Sequence, residues 1–465
     1  MKAASEKESI RKTEFGIFCK RDKLNRFLRE TTVTTMKIIR INSKNLERRS
    51  REIEKSASHF DPELVSRTEK IVEDVREQGD SALFRYAKKF DGPYVTAKNV
   101  KVTDREFEEA KAAVAPGIAR DLRKAASRIR SYQKKKLPKA GAYKDALGNE
   151  LGWLIRPIEK VGVYVPGGKA SYPSTVLMTA IPARVAGAIE ISVVTPCSGK
   201  RVNPEILLAC EIAGVSNVYK IGGAHAIAAM AFGTRSITKV DKVVGPGNIY
   251  VTIAKKLVYG FCDIDMLAGP TEVLIIADGS CPPGWVAADL LAQAEHDEMS
   301  IPILATTSYD YAKEVKKEVL SQLRGLDREE IAGAAVSSNG RIYVTEKMEQ
   351  AVALSNAVAP EHLELCVRSP KSLLKGIKHA GAIFLGSLST EPFGDYVSGP
   401  SHVLPTGGAA RFSSPLSVYD FLRMPSTISM SKKGFSSLGT TVMNLAHAEG
   451  LSGHAFSVKR RIEDS

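Results

Sequence analysis

Val161-Gly162-Val163-Tyr164-Val165 is a short continuous apolar run, closed by Pro166-Gly167-Gly168 and followed by an apolar helical stretch from about Ser174 to Ala188. A run of this length bounded by turn residues predicts a strand buried on both faces, as in a parallel sheet with helices above and below. The unit repeats downstream. Strand Ile189–Thr195, helix Pro204–Ala213, strand Asn217–Ile221, helix Ala224–Ala231 and strand Lys242–Val244 follow in order. Alternation at this spacing predicts a doubly wound α/β sheet.

The alternation then begins again. Strand Glu272–Ala277 leads to helix Pro283–Ala294, strand Ile301–Thr306, helix Tyr309–Leu323, strand Arg341–Val344 and helix Lys347–Ala357. Strand His362–Val367, helix Pro370–Lys378 and strand Ala382–Leu385 close the series. The fold class expected is therefore α/β, with two similar doubly wound, incompletely Rossmann-like domains and helical N- and C-terminal extensions. The N-terminal extension is the amphipathic helical region from Asp61 to about Lys136, where Leu64, Val65, Ile71, Val72 and Val75 recur at helical spacing. The polar stretch Leu137–Gly152 ends it. The C-terminal one is a Gly-, Ser- and Pro-rich tail that becomes helical over Ser437–Ala448 and is too short to hold its own core.

Composition excludes several classes. Of 465 residues 43% are hydrophobic and 25% charged, ordinary for a globular chain and long enough for a large core without staples. The six cysteines are scattered with no C-x-x-C pair, which excludes a disulfide scaffold or a cysteine-rich zinc module and suits a reducing, cytoplasmic setting. Arg184 and Glu190 interrupt the apolar stretch Val176–Val194, so no membrane partner is expected. The net charge of +14 is concentrated in two places. Residues 1–35 carry nine Lys/Arg against five Asp/Glu, and Arg120–Lys136 carries eight cations against Asp121 alone. The second run lacks interleaved stacking aromatics, so it reads as a solvated face, and no nucleic-acid partner is expected. Residues 1–35 lack an apolar core or periodicity and read as a disordered or non-native extension. Met36-Lys37-Ile38-Ile39-Arg40-Ile41 reads as the opening strand of the folded chain.

Two nucleotide signatures are absent, since neither G-x-G-x-x-G nor G-x-x-x-x-G-K-[ST] occurs. Three glycine turns nevertheless close consecutive strands: Val165-Pro-Gly-Gly168, Ile221-Gly-Gly223 and Val244-Gly-Pro-Gly-Asn248. Each alone is a tight turn. Together they favour a phosphate- or dinucleotide-binding crevice at the strand ends. Gln293 and His296, three apart at a helix end, share one face; Glu361-His362 places a carboxyl beside an imidazole that titrates near neutrality. Asp395 and His402 lie in a glycine-rich loop, and Glu449 and His454 in the tail.

Apart from the tail residues Glu449 and His454, these residues sit in runs that resemble histidinol dehydrogenases. The runs are GVYVPGG and SYPSTVLMTAIPARVAG within Val161–Gly187, VDKVVGPGN at Val240–Asn248, DIDMLAGPTE at Asp263–Glu272, AQAEH at Ala292–His296, APEHL at Ala359–Leu363 and GDYVSGPSHVLP at Gly394–Pro405. The resemblance covers about residues 36–460. It implies oxidation of L-histidinol to L-histidine through histidinaldehyde, with NAD as oxidant, one zinc per subunit, and a homodimer with shared active sites. The implied zinc ligands are Gln293, His296, Asp395 and, from the partner's tail, His454. The implied acid/base pair is Glu361 and His362. Thr271, Glu449, His362 and the metal ligands would contact substrate, and Tyr164, His225 and Asn248 the cofactor. Thr271 stands where the family usually has Ser, and His225 where it usually has Gln.

The domains expected on this reading are an N-terminal arm at 36–60, a first α/β domain from 61–163 plus 273–416, and an inserted cofactor-side domain at 164–272. A tail at 417–465 would cross to the partner. The competing enzyme reading keeps zinc and NAD and exchanges histidinol for another polar alcohol, such as a sulfonated diol.

Overall fold

The computed structural model describes residues 36–55, 60–167, 171–197 and 201–464. The reading of residues 1–35 as an extension lies outside them, as does Gly168. The described chain is mixed α/β with parallel sheets and divides into two compact units. Among the described residues no helix is long and apolar enough to cross a membrane.

One unit comprises the chain up to Phe60, Met266–Asp395 and Leu404–Pro415. Its sheet has six parallel strands in the order Lys37–Ile41, Arg341–Thr345, Ile301–Thr306, Glu272–Ala277, His362–Cys366 and Ala382–Leu385. The central strand Glu272–Ala277 is buried at every position. Its side chains alternate between two cores: Val273, Ile275 and Ala277 meet Val286, Leu290, Val315 and Val336, whereas Leu274 and Ile276 meet Ala351, Leu354 and Val358. Helices therefore cover both faces. This is the physical reason the strand reads as an unbroken apolar run.

The other unit comprises Asp61–Asp265, Tyr396–Val403 and Leu416–Ser465. Its five parallel strands run in the order Asn217–Tyr219, Glu190–Val194, Lys160–Tyr164, Lys242–Val244 and Asp263–Ile264. Here the grouping differs from the sequence expectation, which joined 61–163 to 273–416. The helices Pro62–Gln78, Asp104–Ala113 and Pro116–Lys135 pack on Gly223–Phe232, Pro204–Ala213 and Pro173–Ala186, the crossover helices of this five-stranded sheet. An amphipathic stripe such as Thr68, Val72 and Val75 states that a helix has a buried face; it does not state which sheet supplies the cover.

The polar stretch read at Leu137–Gly152 coincides with strands Gly141–Lys144 and Glu150–Trp153. They form an antiparallel sheet with Ser426–Ser429 from the tail. The tail continues as helices Lys432–Ala448 and Ser452–Glu463, which pack on each other. The second of these was not anticipated from the sequence.

Candidate active site

The first unit brings together six of the residues singled out above: Thr271, Gln293, His296, Glu361, His362 and Asp395. They gather at the amino ends of strands Glu272–Ala277 and His362–Cys366, the edge opposite to the one where α/β sheets usually bind ligands. Helix Pro283–Ala294 ends at this edge, with Gln293 in its last turn and His296 just beyond. A helix C-terminus carries partial negative charge and favours a cation. Helix Met348–Val358 also ends here, capped by Ala359 at φ 51°, the one non-glycine with positive φ among the described residues. That left-handed residue reverses the backbone into Pro360-Glu361-His362.

The His362 ring is 4% exposed, and its Nδ1 lies 3.2 Å from the carbonyl oxygen of Glu272. A carbonyl only accepts, so Nδ1 carries a proton, and in the neutral imidazole Nε2 then carries the lone pair. Nε2 lies 3.9 Å from Asp395 Oδ1. Glu361 is buried; its Oε2 accepts from the Thr271 hydroxyl at 2.5 Å and from the Glu272 N–H at 3.1 Å. Burial pushes the Glu361 carboxyl well above the usual carboxylate range, with Glu272 and Asp395 adding like-charge repulsion and the Thr271 bond opposing. Burial likewise pushes Asp395 up to about 6.

Ligand atoms of His296, Glu391 and Asp395 all lie within 4.8 Å of one another. Glu391 was not anticipated from the sequence. It is 2% exposed, with Oε1 3.7 Å from His296 Nε2 and Oε2 3.9 Å from His362 Nδ1. Burial pushes its carboxyl well up, and Asp395, Glu361 and Glu364 add to the effect. The available signal was its spacing of four from Asp395, which places both on one helical face. Behind it Glu364 accepts the Glu391 N–H at 2.8 Å. Glu364 is pushed up to about 8 by its own burial and then by Asp289.

A nitrogen and oxygen donor set, helix C-termini aimed at it and several buried carboxyls with raised pKa values together fit a divalent cation of the zinc type. The most direct observation is Gln293. Its side chain is fully buried, and Oε1 has no hydrogen-bond partner while Nε2 donates to Thr271 Oγ1 at 2.8 Å. A buried acceptor with no hydrogen-bond partner, three residues before His296 at the same helix end, suits a metal ligand.

The remaining candidates lie in the second unit. Tyr164 is 4% exposed, and its hydroxyl accepts the Gly223 N–H at 3.1 Å. His225 is buried, with Nε2 2.8 Å from Asp91 Oδ2. Asn248 is exposed at the start of helix Ile249–Val258; its side-chain oxygen accepts from Tyr250 N–H and Val251 N–H. Gly245 in the same turn has φ 110° and accommodates no side chain, because a Cβ there would strike the Tyr164 carbonyl. Glu449 follows helix Lys432–Ala448, and His454 sits in the first turn of Ser452–Glu463; both are exposed. His402 Nε2 lies 3.3 Å from Thr175 Oγ1.

Comparison with known proteins meets this geometry. The histidinol dehydrogenase family model matches residues 54–462. The chain is 51% identical over 405 residues to histidinol dehydrogenase of Syntrophotalea carbinolica, covering 87% of this chain and 94% of that protein.

The chain belongs to the histidinol dehydrogenase family.

Histidinol dehydrogenase of Aquifex aeolicus is 48% identical over 419 residues, covering 90% of this chain and 97% of that protein. The crystal structure of histidinol dehydrogenase from Elizabethkingia anophelis superposes with a TM-score of 0.87 at 37% identity, covering 94% of this chain and 99% of that one. Membership in the histidinol dehydrogenase family makes the chain an NAD-dependent oxidoreductase acting on a CH–OH group.

Proposed function

We propose that this chain carries out the last steps of histidine biosynthesis, oxidising L-histidinol to L-histidine through histidinaldehyde in two hydride transfers. The observation that carries the reading is His362. Its Nδ1–H donates to the Glu272 carbonyl, and its Nε2 stands 3.9 Å from Asp395, a member of the donor group with His296 and Glu391. A base adjoining a cation site suits a substrate that combines an imidazole and an amine with the alcohol to be oxidised.

Zinc, one per subunit, would be held by Gln293, His296, Asp395 and the partner subunit's His454, with Glu391 beside them. Zinc bound there would supply a site for the substrate's imidazole and amine, and NAD⁺ would serve as the hydride acceptor. His362 Nε2 receives the alcohol proton in the first step, releases it to solvent, and then receives that of the hydrated aldehyde in the second. Glu361, buried and held by Thr271, orients and activates the water that hydrates the aldehyde. Thr271 and Glu449 complete the substrate contacts, Glu449 pairing with the substrate amine. Asn248 would offer its side-chain NH2 to the cofactor, while Tyr164 holds the Gly223 N–H and His225 pairs with Asp91, which holds the Gly222 N–H.

A homodimer with shared sites is part of this reading. The tail helices expose Val442, Leu445, Leu451 and Phe456, with Leu445 61% and Phe456 60% accessible, an apolar surface that a second subunit would cover.

The deciding experiment supplies L-histidinol and NAD⁺ and follows NADH. The proposal expects turnover that a chelator abolishes and zinc restores. NADH formation from another polar alcohol, with none from L-histidinol, would replace the substrate assignment.

A further inference from the structure

We infer that Thr271 is a positioning residue for the metal ligand Gln293: its hydroxyl decides which end of the Gln293 carboxamide faces the cation. The inference rests on the zinc reading above and deepens it.

The argument follows the direction of the hydrogen bonds. Glu361 Oε2 lies 3.1 Å from the Glu272 backbone nitrogen. A backbone N–H only donates, so Oε2 accepts from it; the bare oxygen of a carboxyl accepts far better than its hydroxyl oxygen, which puts any proton of a neutral Glu361 on Oε1. Thr271 Oγ1 lies 2.5 Å from the same oxygen and must give it its single proton. The Thr271 oxygen then has only lone pairs to offer Gln293, whose side-chain amide lies 2.8 Å away. Only an N–H can meet those lone pairs. Nε2 therefore turns toward Thr271, and Oε1 turns away from it, buried and without a hydrogen-bond partner.

The two ends of a carboxamide are nearly identical in shape and opposite in charge. Flipped by 180°, Gln293 would present a positively polarised NH2 to the cation and could not coordinate it. Gln293 is fully buried, and the bond of its Nε2 to the Thr271 oxygen separates the two orientations. A fixed backbone polarity at Glu272 is thus passed through Glu361 and Thr271 to the metal ligand. The same chain ties the carboxyl that handles water to the residue that holds the metal. Only the hydroxyl is required, so Thr in place of the family's usual Ser keeps the function intact.

The test measures zinc affinity by competition with a chromogenic chelator on the full chain, without substrate or NAD⁺. Removing a group that orients a metal ligand typically weakens binding about 10- to 100-fold, and Thr271→Val should do so while Thr271→Ser stays near wild type. A carboxylate has two acceptor ends and needs no orienting. In the Gln293→Glu background, Thr271→Val should therefore cost little or nothing. An equal loss in both backgrounds would mean that Thr271 serves packing only, and would overturn the inference. So would wild-type affinity in Thr271→Val, provided Gln293→Ala binds zinc weakly. Wild-type affinity in Gln293→Ala would instead overturn the assignment of Gln293 as a ligand. Should Thr271→Val misfold, as circular dichroism would reveal, Thr271→Ala carries the same comparison.

Discussion

His225 Nε2 lies 2.8 Å from Asp91 Oδ2 in a buried pair, and the other Asp91 oxygen accepts the Gly222 N–H at 3.2 Å. One carboxylate thus holds both the turn after strand Asn217–Tyr219 and the residue that departs from the family's usual Gln. Asp91→Ala would leave two buried donors without partners, at about 1–3 kcal/mol each. We expect urea denaturation to show a loss of about 3 kcal/mol for Asp91→Ala and about 1 kcal/mol for His225→Gln, which keeps an N–H for Asp91. Equal losses would mean that the pair does not act through Asp91.

His362→Asn should remove the base and leave the metal. The substitution keeps a side-chain N–H for the Glu272 carbonyl but has no basic nitrogen. Turnover should fall by about 10²–10⁴-fold with zinc content unchanged by atomic absorption. Zinc lost in proportion to activity would recast His362 as a ligand.

Glu272 gives the fold a pH dependence of definite sign. Burial pushes its carboxyl up to about 7, against which the Gly407 N–H donates at 3.0 Å. Between roughly pH 4.5 and 7 the folded chain holds a proton there that the unfolded chain has released. Stability contributed by this group is therefore full below that window and declines as pH rises through it. The shift from the ordinary 4.5 to about 7 corresponds to about 3 kcal/mol. In chelated protein, Glu272→Gln should be less sensitive than wild type to a change from pH 5 to pH 8 by about that amount. Parallel profiles would show that Glu272 is ionised throughout.

The shared site predicts complementation. His454→Ala and Asp395→Ala should each be inactive. Mixed under subunit exchange, a heterodimer combines one intact Asp395 with one intact His454 at a single site. Half of the dimers are mixed and half of their sites work, so activity should plateau at about a quarter of wild type. No recovery despite exchange verified by mass would mean that each tail serves its own subunit.

Both parallel sheets were legible in the sequence because strands buried on two faces leave continuous apolar runs between turn residues, as Val161–Val165 and Glu272–Ala277 do. The small antiparallel sheet was not. Its strands Gly141–Lys144, Glu150–Trp153 and Ser426–Ser429 bury no residue, so they carry no periodic signal. Nor was the cover of the N-terminal helices legible, since an apolar face names no partner. Within the candidate site, His362 and Gln293 stood out through their residue types and spacing. Glu391 did not, because Pro392 and Gly394 disguise the helical turn Glu391–Tyr396 that sets it beside His296. The bond from Thr271 to Glu361 joins residues 90 apart in sequence and depends on two strands lying side by side.

The most direct test of the account counts NADH per L-histidinol consumed at limiting substrate, with semicarbazide present to trap free aldehyde. Two oxidations at one site, with the aldehyde held between them, predict two NADH per histidinol and no trapped product. One NADH per histidinol, with the trapped aldehyde accumulating in equal amount, would contradict it.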